Sequence, residues 1–355
     1  MTTRLLVSPE NIENELLKIW EDLSKENKTR ASLFNLVVFN KLSKRTDYFR
    51  NIVEKVVEKF PCRTLFITED PEPKNNYLKT AVSVLIPNVT IACDLIDIGV
   101  AGKEIEKVPF LILPHLIPDL PVYVLWTEDP SNEHFLFHPL SKLATRMIFD
   151  SESSDNLLEF AKTLLSLKDK SNFDIADLNW ARTQGWRNLI ASVFDTPKKF
   201  HDLADISKLK IVYNARESEF FCHLKIQAMY LLAWLSSRLD WKLVSSTKNL
   251  QFKFEKTECS IESTFWEGLG SGTVISVDMT TSKGDHFGAC RIKERYHYVS
   301  IYNSSPNSCE LPYEFVLGQT KTGQSLVSEI CMKGTSSHYI DMLRELVIID
   351  KDQVC

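Results

Sequence analysis

Two tryptophans and two arginines crowd into DLNWARTQGWR at 177–187, and these residue types define the chain's most distinctive chemistry. Indole brings a large apolar face with a single N–H donor, and guanidinium keeps its charge wherever it is placed. That is the chemistry of recognition or of buried stacking, not of bond making. Read as one helix capped by Asp177, the stretch gathers Leu178, Ala181, Gly185, Trp186, Leu189 and Val193 on one face with Arg182 among them. Trp180, Arg187 and Phe194 fall on the other, a stripe of the residue types that dominate interface hot spots. In the competing reading both tryptophans bridge two domains, with Arg182 and Arg187 paired with carboxylates or stacked on the rings. Gly185 costs about 1 kcal/mol inside a helix and marks a place where this one can break.

The other reactive residue types assemble less. His286, Cys290 and His297 are spaced unlike any common zinc set, so no metal site is expected. Arg291, Lys293, Arg295 and His297 share a strand face by period two, as an anion grip or a solvated face. GLGSGT at 268–273 has the glycines of a phosphate loop, but the strand-like TVISVDMTT follows where a helix would be needed, so it reads as a hairpin turn. Asp94 with Asp97, and Glu69 with Asp70, are the nearest approach to paired acids. The chain has no G-x-x-x-x-G-K-[ST], G-x-S-x-G or H-E-x-x-H. No catalytic residue and no cofactor are expected.

The elements that must position these residues fall into two groups. Strand-like runs at 33–40, 62–69, 82–87, 89–98, 121–126 and 146–150 alternate with helical repeats at 46–59, 103–113 and 154–167, the last capped by Ser154 or Asp155. That alternation predicts an α/β N-terminal domain over 1–200, a Rossmann-like layered sheet with flanking helices, which includes the tryptophan segment. Before it, Ser8 and Pro9 open an amphipathic helix with Ile12, Leu16, Ile19, Trp20 and Leu23 on one face. Residues 201–355 predict an α+β C-terminal domain: a strand at 209–213, a long buried helix at about 218–239, a mostly antiparallel sheet from 249 to 316, and two last helices.

Composition narrows the function classes. With 44% apolar and 25% charged residues, the 355-residue chain is an ordinary globular sequence of about two domains. Forty-two basic against 47 acidic residues, a net charge of −5, argue against nucleic-acid binding as the main task. Prolines 109, 114, 118 and 121 with Asp119 interrupt the most apolar window, 108–126, so no membrane span is expected. The first residues lack a basic-then-apolar leader pattern, and cysteines 62, 93, 222, 259, 290, 309, 331 and 355 contain no C-x-x-C. Reduced thiols and a cytoplasmic location are expected.

Five phrases carry a resemblance: PCR (61–63), IPDLPVYVLW (117–126), TRMIFDS (145–151), DLNWARTQGWR (177–187) and LLAWLSSRLDW (231–241). In that order they are similar to the hallmark segments of the OpcA family of glucose-6-phosphate dehydrogenase assembly proteins. The resemblance spans about 12–241. It implies a non-catalytic partner that binds glucose-6-phosphate dehydrogenase and promotes its active oligomeric state in the oxidative pentose phosphate route, acting by differential affinity for that state. The positions that match the family pattern are Arg63, Asp119, Trp126, Arg146, Asp177, Asn179, Trp180, Arg182, Trp186, Arg187, Arg238 and Trp241, with Pro61, Pro121, Asp150 and Trp234. Phe60, Leu125, Thr145 and Gly185 depart from it, Gly185 where a proline is common. The alternative is a sugar-phosphate- or nucleotide-binding enzyme that uses Arg63, Asp70 and the Asp119 turn at the carboxyl ends of the α/β strands.

Overall fold

A computed structural model describes residues 4–88, 90–219, 223–318 and 323–350. The first part of the chain runs β1 (Leu5–Val7), α1 (Ile12–Lys25), β2 (Thr29–Arg30), β3 (Asn35–Lys41), α2 (Arg45–Lys59), β4 (Arg63–Asp70), β5 (Tyr77–Leu85) and β6 (Ile91–Ala101). It continues through α3 (Val108–Ile112), β7 (Val122–Trp126), α4 (Phe137–Leu143), β8 (Arg146–Phe149), α5 (Leu157–Lys170) and β9 (Asp174–Asp177). Next come α6 (Leu178–Arg182), α7 (Gln184–Val193), α8 (Pro197–Ala204), β10 (Ile206–Asn214), α9 (Ile226–Leu239), β11 (Leu243–Thr247), β12 (Gln251–Phe254) and β13 (Glu258–Thr264). The last are β14 (Val274–Thr281), β15 (His286–Ile292), β16 (Arg295–Ser305), β17 (Ser308–Cys309), β18 (Tyr313–Val316), α10 (Gln324–Cys331) and α11 (Ser337–Ile349).

The first sheet has the order β1-β5-β6-β4-β3-β7-β8-β9, with β2 beside β6. Every pairing from β6 through β9 is parallel, while β1, β5 and β6 pair antiparallel. The parallel strands, counted along the chain, lie 3-2-1-4-5-6, the doubly wound order, and the direction of winding reverses between β3 and β7. Leu36, Val37, Val38 and Phe39 are all buried although neighbours on a strand face opposite ways, so both faces of β3 are covered. On one face α2 contributes Phe49, Ile52, Val53, Val56 and Val57 to a core with Leu36, Val38 and Phe66, and Leu326, Val327 and Ile330 of α10 complete it.

The second sheet has the order β11-β12-β13-β10-β14-β15-β16-β17, with β18 beside β16, and is antiparallel except between β10 and β13. In β10, Leu209 and Ile211 are buried while Lys208 and Lys210 are exposed, the period-two pattern of a sheet with one face on a core. Helix α9 is buried at every position from Ile226 to Ser236. Its Tyr230 ring lies 6.4 Å from that of Tyr339 in α11.

Several expectations change. One compact unit comprises residues through 154, 166–178 and 321–335, and the other 155–165, 179–320 and the residues from 336 on, so neither is a continuous stretch that changes over near 200. DLNWARTQGWR is not one helix: Asp177 ends β9, α6 stops at Arg182, and α7 starts after Thr183. The break thus precedes Gly185, which sits in the first turn of α7 where a proline is also tolerated. GLGSGT is not a hairpin turn, because β10 lies between β13 and β14 and the loop crosses it. The Asn214 side chain holds this loop, donating to the Trp266, Leu269 and Gly270 carbonyls and accepting the Trp266 amide. Asn156, not Ser154 or Asp155, caps α5 by accepting the Leu158 and Glu159 amides. Ser8 makes no side-chain cap; a short 3-10 turn at Pro9–Asn11 leads into α1. Arg291, Lys293 and Arg295 do not share a strand face, since β15 ends at Ile292 and a turn with Glu294 at positive φ intervenes.

Candidate functional site

At the amino ends of the parallel strands the buried Asp94 carboxylate is a hub. It accepts hydrogen bonds from Trp20 Nε1 (2.7 Å), Arg30 Nη2 (2.6 Å) and Arg63 Nε (2.9 Å), with Arg63 Nη2 at 2.8 Å. Arg63 also donates to Glu13 (2.9 Å) and to the His115 carbonyl (2.8 Å), and Glu13 meets His115 Nδ1 at 2.8 Å. The His115 hydrogen bond, opposed by partial burial and aided by Arg63, lowers the Glu13 pKa to about 2. The network ties α1 to β4, β6 and the 113–117 turn. A cleft of about 460 Å³ opens beside it, lined by Glu13, Arg30, Ser32 and Arg63 with the apolar Pro114–Leu120 segment. Asn35 fixes that segment, accepting the Ile117 amide and donating to the Ile117 and Leu120 carbonyls, while Asp119 turns the chain at φ 62°.

Arg146 opens β8 at the same end. It donates to Glu329 Oε2 (2.7 Å) and to the Gly334 carbonyl (2.9 Å), both within the first compact unit. The opposite, carboxyl ends hold a different set. Trp126 ends β7 fully buried, stacked on Phe39 at 4.4 Å and edge-on to His134 and Phe137. Arg45 pairs with Asp150 (2.5 Å), His134 with Glu69 (2.8 Å), and Ser151 donates to Asp177 (3.1 Å).

The tryptophan–arginine segment makes a third cluster, in the second compact unit. The Arg187 guanidinium lies 3.3 Å from the centre of the Trp180 ring and donates to the Trp180 carbonyl at 2.7 Å and to Thr183 Oγ1. Trp180 is only 6% exposed, its ring 5.4 Å from Tyr339. Arg182 donates to Asn179 (2.8 Å). Trp186 is buried with the Arg291 guanidinium 5.6 Å from its ring; Arg291 in turn donates to the Val274 and Tyr296 carbonyls, and its burial lowers its pKa. Arg238 pairs with Asp341 (2.7 Å), and the Trp241 ring lies 5.3 Å from Phe254.

Within the first compact unit the signature residues divide between the amino ends (Arg63, Asp119, Arg146) and the carboxyl ends (Trp126, Asp177) of the parallel strands, while Asn179, Trp180, Arg182, Trp186, Arg187, Arg238 and Trp241 belong to the second unit. Arg63 and Asp70 begin and end the eight-residue β4, about 23 Å apart at the strand rise, so Arg63, Asp70 and Asp119 cannot act on one ligand at the carboxyl ends. Asp94 and Asp97 are not an acid pair either: three residues apart on a strand, they face opposite ways, and Asp97 pairs with Arg4 and Arg50. No group of three His, Cys, Asp or Glu among the described residues is placed to hold a metal. The six described cysteines are free; Cys222 and Cys355 lie outside the described residues. Sequence reading missed Glu13, His115, Asn214 and Glu329. The signal available was a charge inside an apolar run, as in IACDLIDI, which demands a buried partner without naming it.

No helix of the described residues is long and apolar enough to cross a membrane. Among solved structures the chain is similar to the transcriptional regulator Gal80p from Kluyveromyces lactis (TM-score 0.51, 8% identity, 94% of this chain and 96% of that one). It is also similar to levoglucosan dehydrogenase in complex with NADH (TM-score 0.51, 10% identity, 92% and 96%). At such identity the likeness is one of fold. Two curated relatives are provisionally named OxPP cycle protein OpcA. The one from Synechococcus elongatus is 30% identical over 209 residues, 55% of this chain and 45% of its own. The one from Synechocystis sp. is 29% identical over 200 residues, 55% and 40%. The matches thus span less than half the length of those relatives. A family profile described as "Glucose-6-phosphate dehydrogenase subunit N-terminal domain" matches residues 53–166, and its C-terminal counterpart matches 174–334. Consecutive and in order, the two matches cover most of the chain, which belongs to the OpcA family of glucose-6-phosphate dehydrogenase assembly proteins.

Proposed function

We propose that this protein is a non-catalytic cytosolic partner of glucose-6-phosphate dehydrogenase that binds its active oligomeric state more tightly than its inactive one, and so shifts the population toward activity. The observation that carries the reading is the pair of consecutive family matches over 53–166 and 174–334. Within the first compact unit Arg63 and Arg146 lie at the amino ends of the parallel strands and Trp126 and Asp177 at the opposite, carboxyl ends, which supports it, because catalysis needs reacting groups within hydrogen-bond reach of one substrate. In this reading most signature residues hold elements in place, and a partner reaches the exposed Asp119 and Arg238 and the partly exposed Arg182 and Arg187.

Light scattering on a sizing column, with NADP reduction assayed in each fraction, tests the proposal on the cognate dehydrogenase with and without this chain. A shared peak with raised activity is expected, and Arg187→Ala should weaken co-elution more than it lowers the melting temperature. Separate peaks at micromolar concentrations, with unchanged activity, would remove the proposal.

A further inference from the structure

The doubly wound strand order places a crevice at the switch point between β3 and β7, and folds of this order that bind dinucleotides set the pyrophosphate on a glycine-rich turn between the first strand and its helix. In this chain that turn is residues 40–45, NKLSKR, and the first glycine of the whole sequence is Gly99. No position of the turn therefore offers the bare backbone that lets a pyrophosphate approach.

Five amides along the turn and the start of α2 are already engaged. Lys41 N–H donates to the Glu128 carboxylate (3.0 Å) and Leu42 N–H to the Glu69 carbonyl (2.7 Å). Ser43 N–H donates to Thr46 Oγ1 (3.1 Å), Arg45 N–H to Ser43 Oγ (3.2 Å) and Thr46 N–H to the Ser43 carbonyl (3.1 Å). The ends of the two strands are tied as well: Thr127 donates through both its amide and its hydroxyl to the Phe39 carbonyl, and Trp126 stacks on the Phe39 ring. Nucleotide folds use an acid at the end of the second strand to hold a ribose. The acids there, Glu69 and Asp70, are taken by His134 (2.8 Å) and by Tyr77 Oη (3.3 Å). The Glu128 carboxylate, held against the Lys41 amide, also places negative charge where a pyrophosphate would have to sit.

We infer that the switch-point crevice is closed to dinucleotides from within, the Glu128 carboxylate holding the Lys41 amide on the turn where such cofactors seat their pyrophosphate. The inference rests on the turn alone, and its failure would leave the partner reading to the co-elution test. Titration of the full chain with NADP+, NADPH, NAD+ and NADH, read by tryptophan-to-nicotinamide energy transfer and by hydrogen exchange of residues 40–46, decides it. No saturable signal to about 1 mM and unchanged exchange are expected. Saturable binding that protects Lys41 to Thr46 would overturn the inference, while binding that protects only residues elsewhere leaves the crevice closed. In Glu128→Ala the Lys41 amide should exchange about tenfold faster or more, and Glu128→Gln, which keeps an acceptor, should restore much of the protection. Unchanged exchange in Glu128→Ala would remove Glu128 from its assigned place.

Discussion

Trp180 and Arg187 show how one pair of residues answers to two readings at once. The stack on Trp180 and the hydrogen bond to its carbonyl link α6 to α7, while the ring itself is buried near Tyr339. Trp180→Ala should therefore cost about 3–5 kcal/mol of stability in a urea titration, whatever it does to partner binding. Arg187→Ala should cost about 1.5–3 kcal/mol, the value of a charged hydrogen bond. Equal small losses would mean that the ring is not a core element. Glu13 makes a pH-dependent prediction at the same scale. Its pKa falls from the usual 4.5 to about 2 in the folded chain, so its contribution is complete above about pH 4.5 and is lost as pH falls toward 2. Wild type and Glu13→Gln should unfold alike near pH 2 and diverge as pH rises to 5. Parallel curves across that range would contradict the His115–Glu13–Arg63 arrangement.

At the scale of elements, close approach outweighs propensity. Gly185 lies within the first turn of α7, where alanine would favour the helix by up to about 1 kcal/mol. A Cβ there would meet the Leu317 carbonyl oxygen at 2.4 Å, and the obstacle is backbone, not the flexible end of a side chain. Gly185→Ala should therefore lower the melting temperature despite its better propensity. A rise would show that the 317 backbone yields at no cost. The loop at 268–273 makes a related point: its glycines lie in a crossover held on Asn214, where the sequence predicts a hairpin turn.

At the scale of the molecule, each compact unit is built from separated stretches. Arg146 on β8 finds its carboxylate on α10, 183 residues along the chain. Among the described residues, Glu329→Ala leaves the buried guanidinium with the Gly334 carbonyl and with Asp174 at 4.0 Å, and should cost about 3 kcal/mol of stability. A loss under about 0.5 kcal/mol would show that the pair is idle.

The apolar strand runs, the helical repeats and the missing glycine loop were legible without coordinates, because hydrophobic periodicity and turn chemistry are local properties. So was family membership, since co-linear phrases need no geometry. Local signals could not say which buried charge meets which. Asp94 with Arg63, Arg146 with Glu329 and Glu128 with the Lys41 amide are separated by 31, 183 and 87 residues. Nor could they show that Trp180 is buried, because an amphipathic wheel gives the direction of a side chain and not what lies there. The sequence by itself determined most of the strands and helices, their order and the family, but not the break at Thr183 or the crossover at 268–273. Only the tertiary structure decided the partners of the charged residues and the closure of the crevice, because those depend on which strand ends the sheet brings side by side.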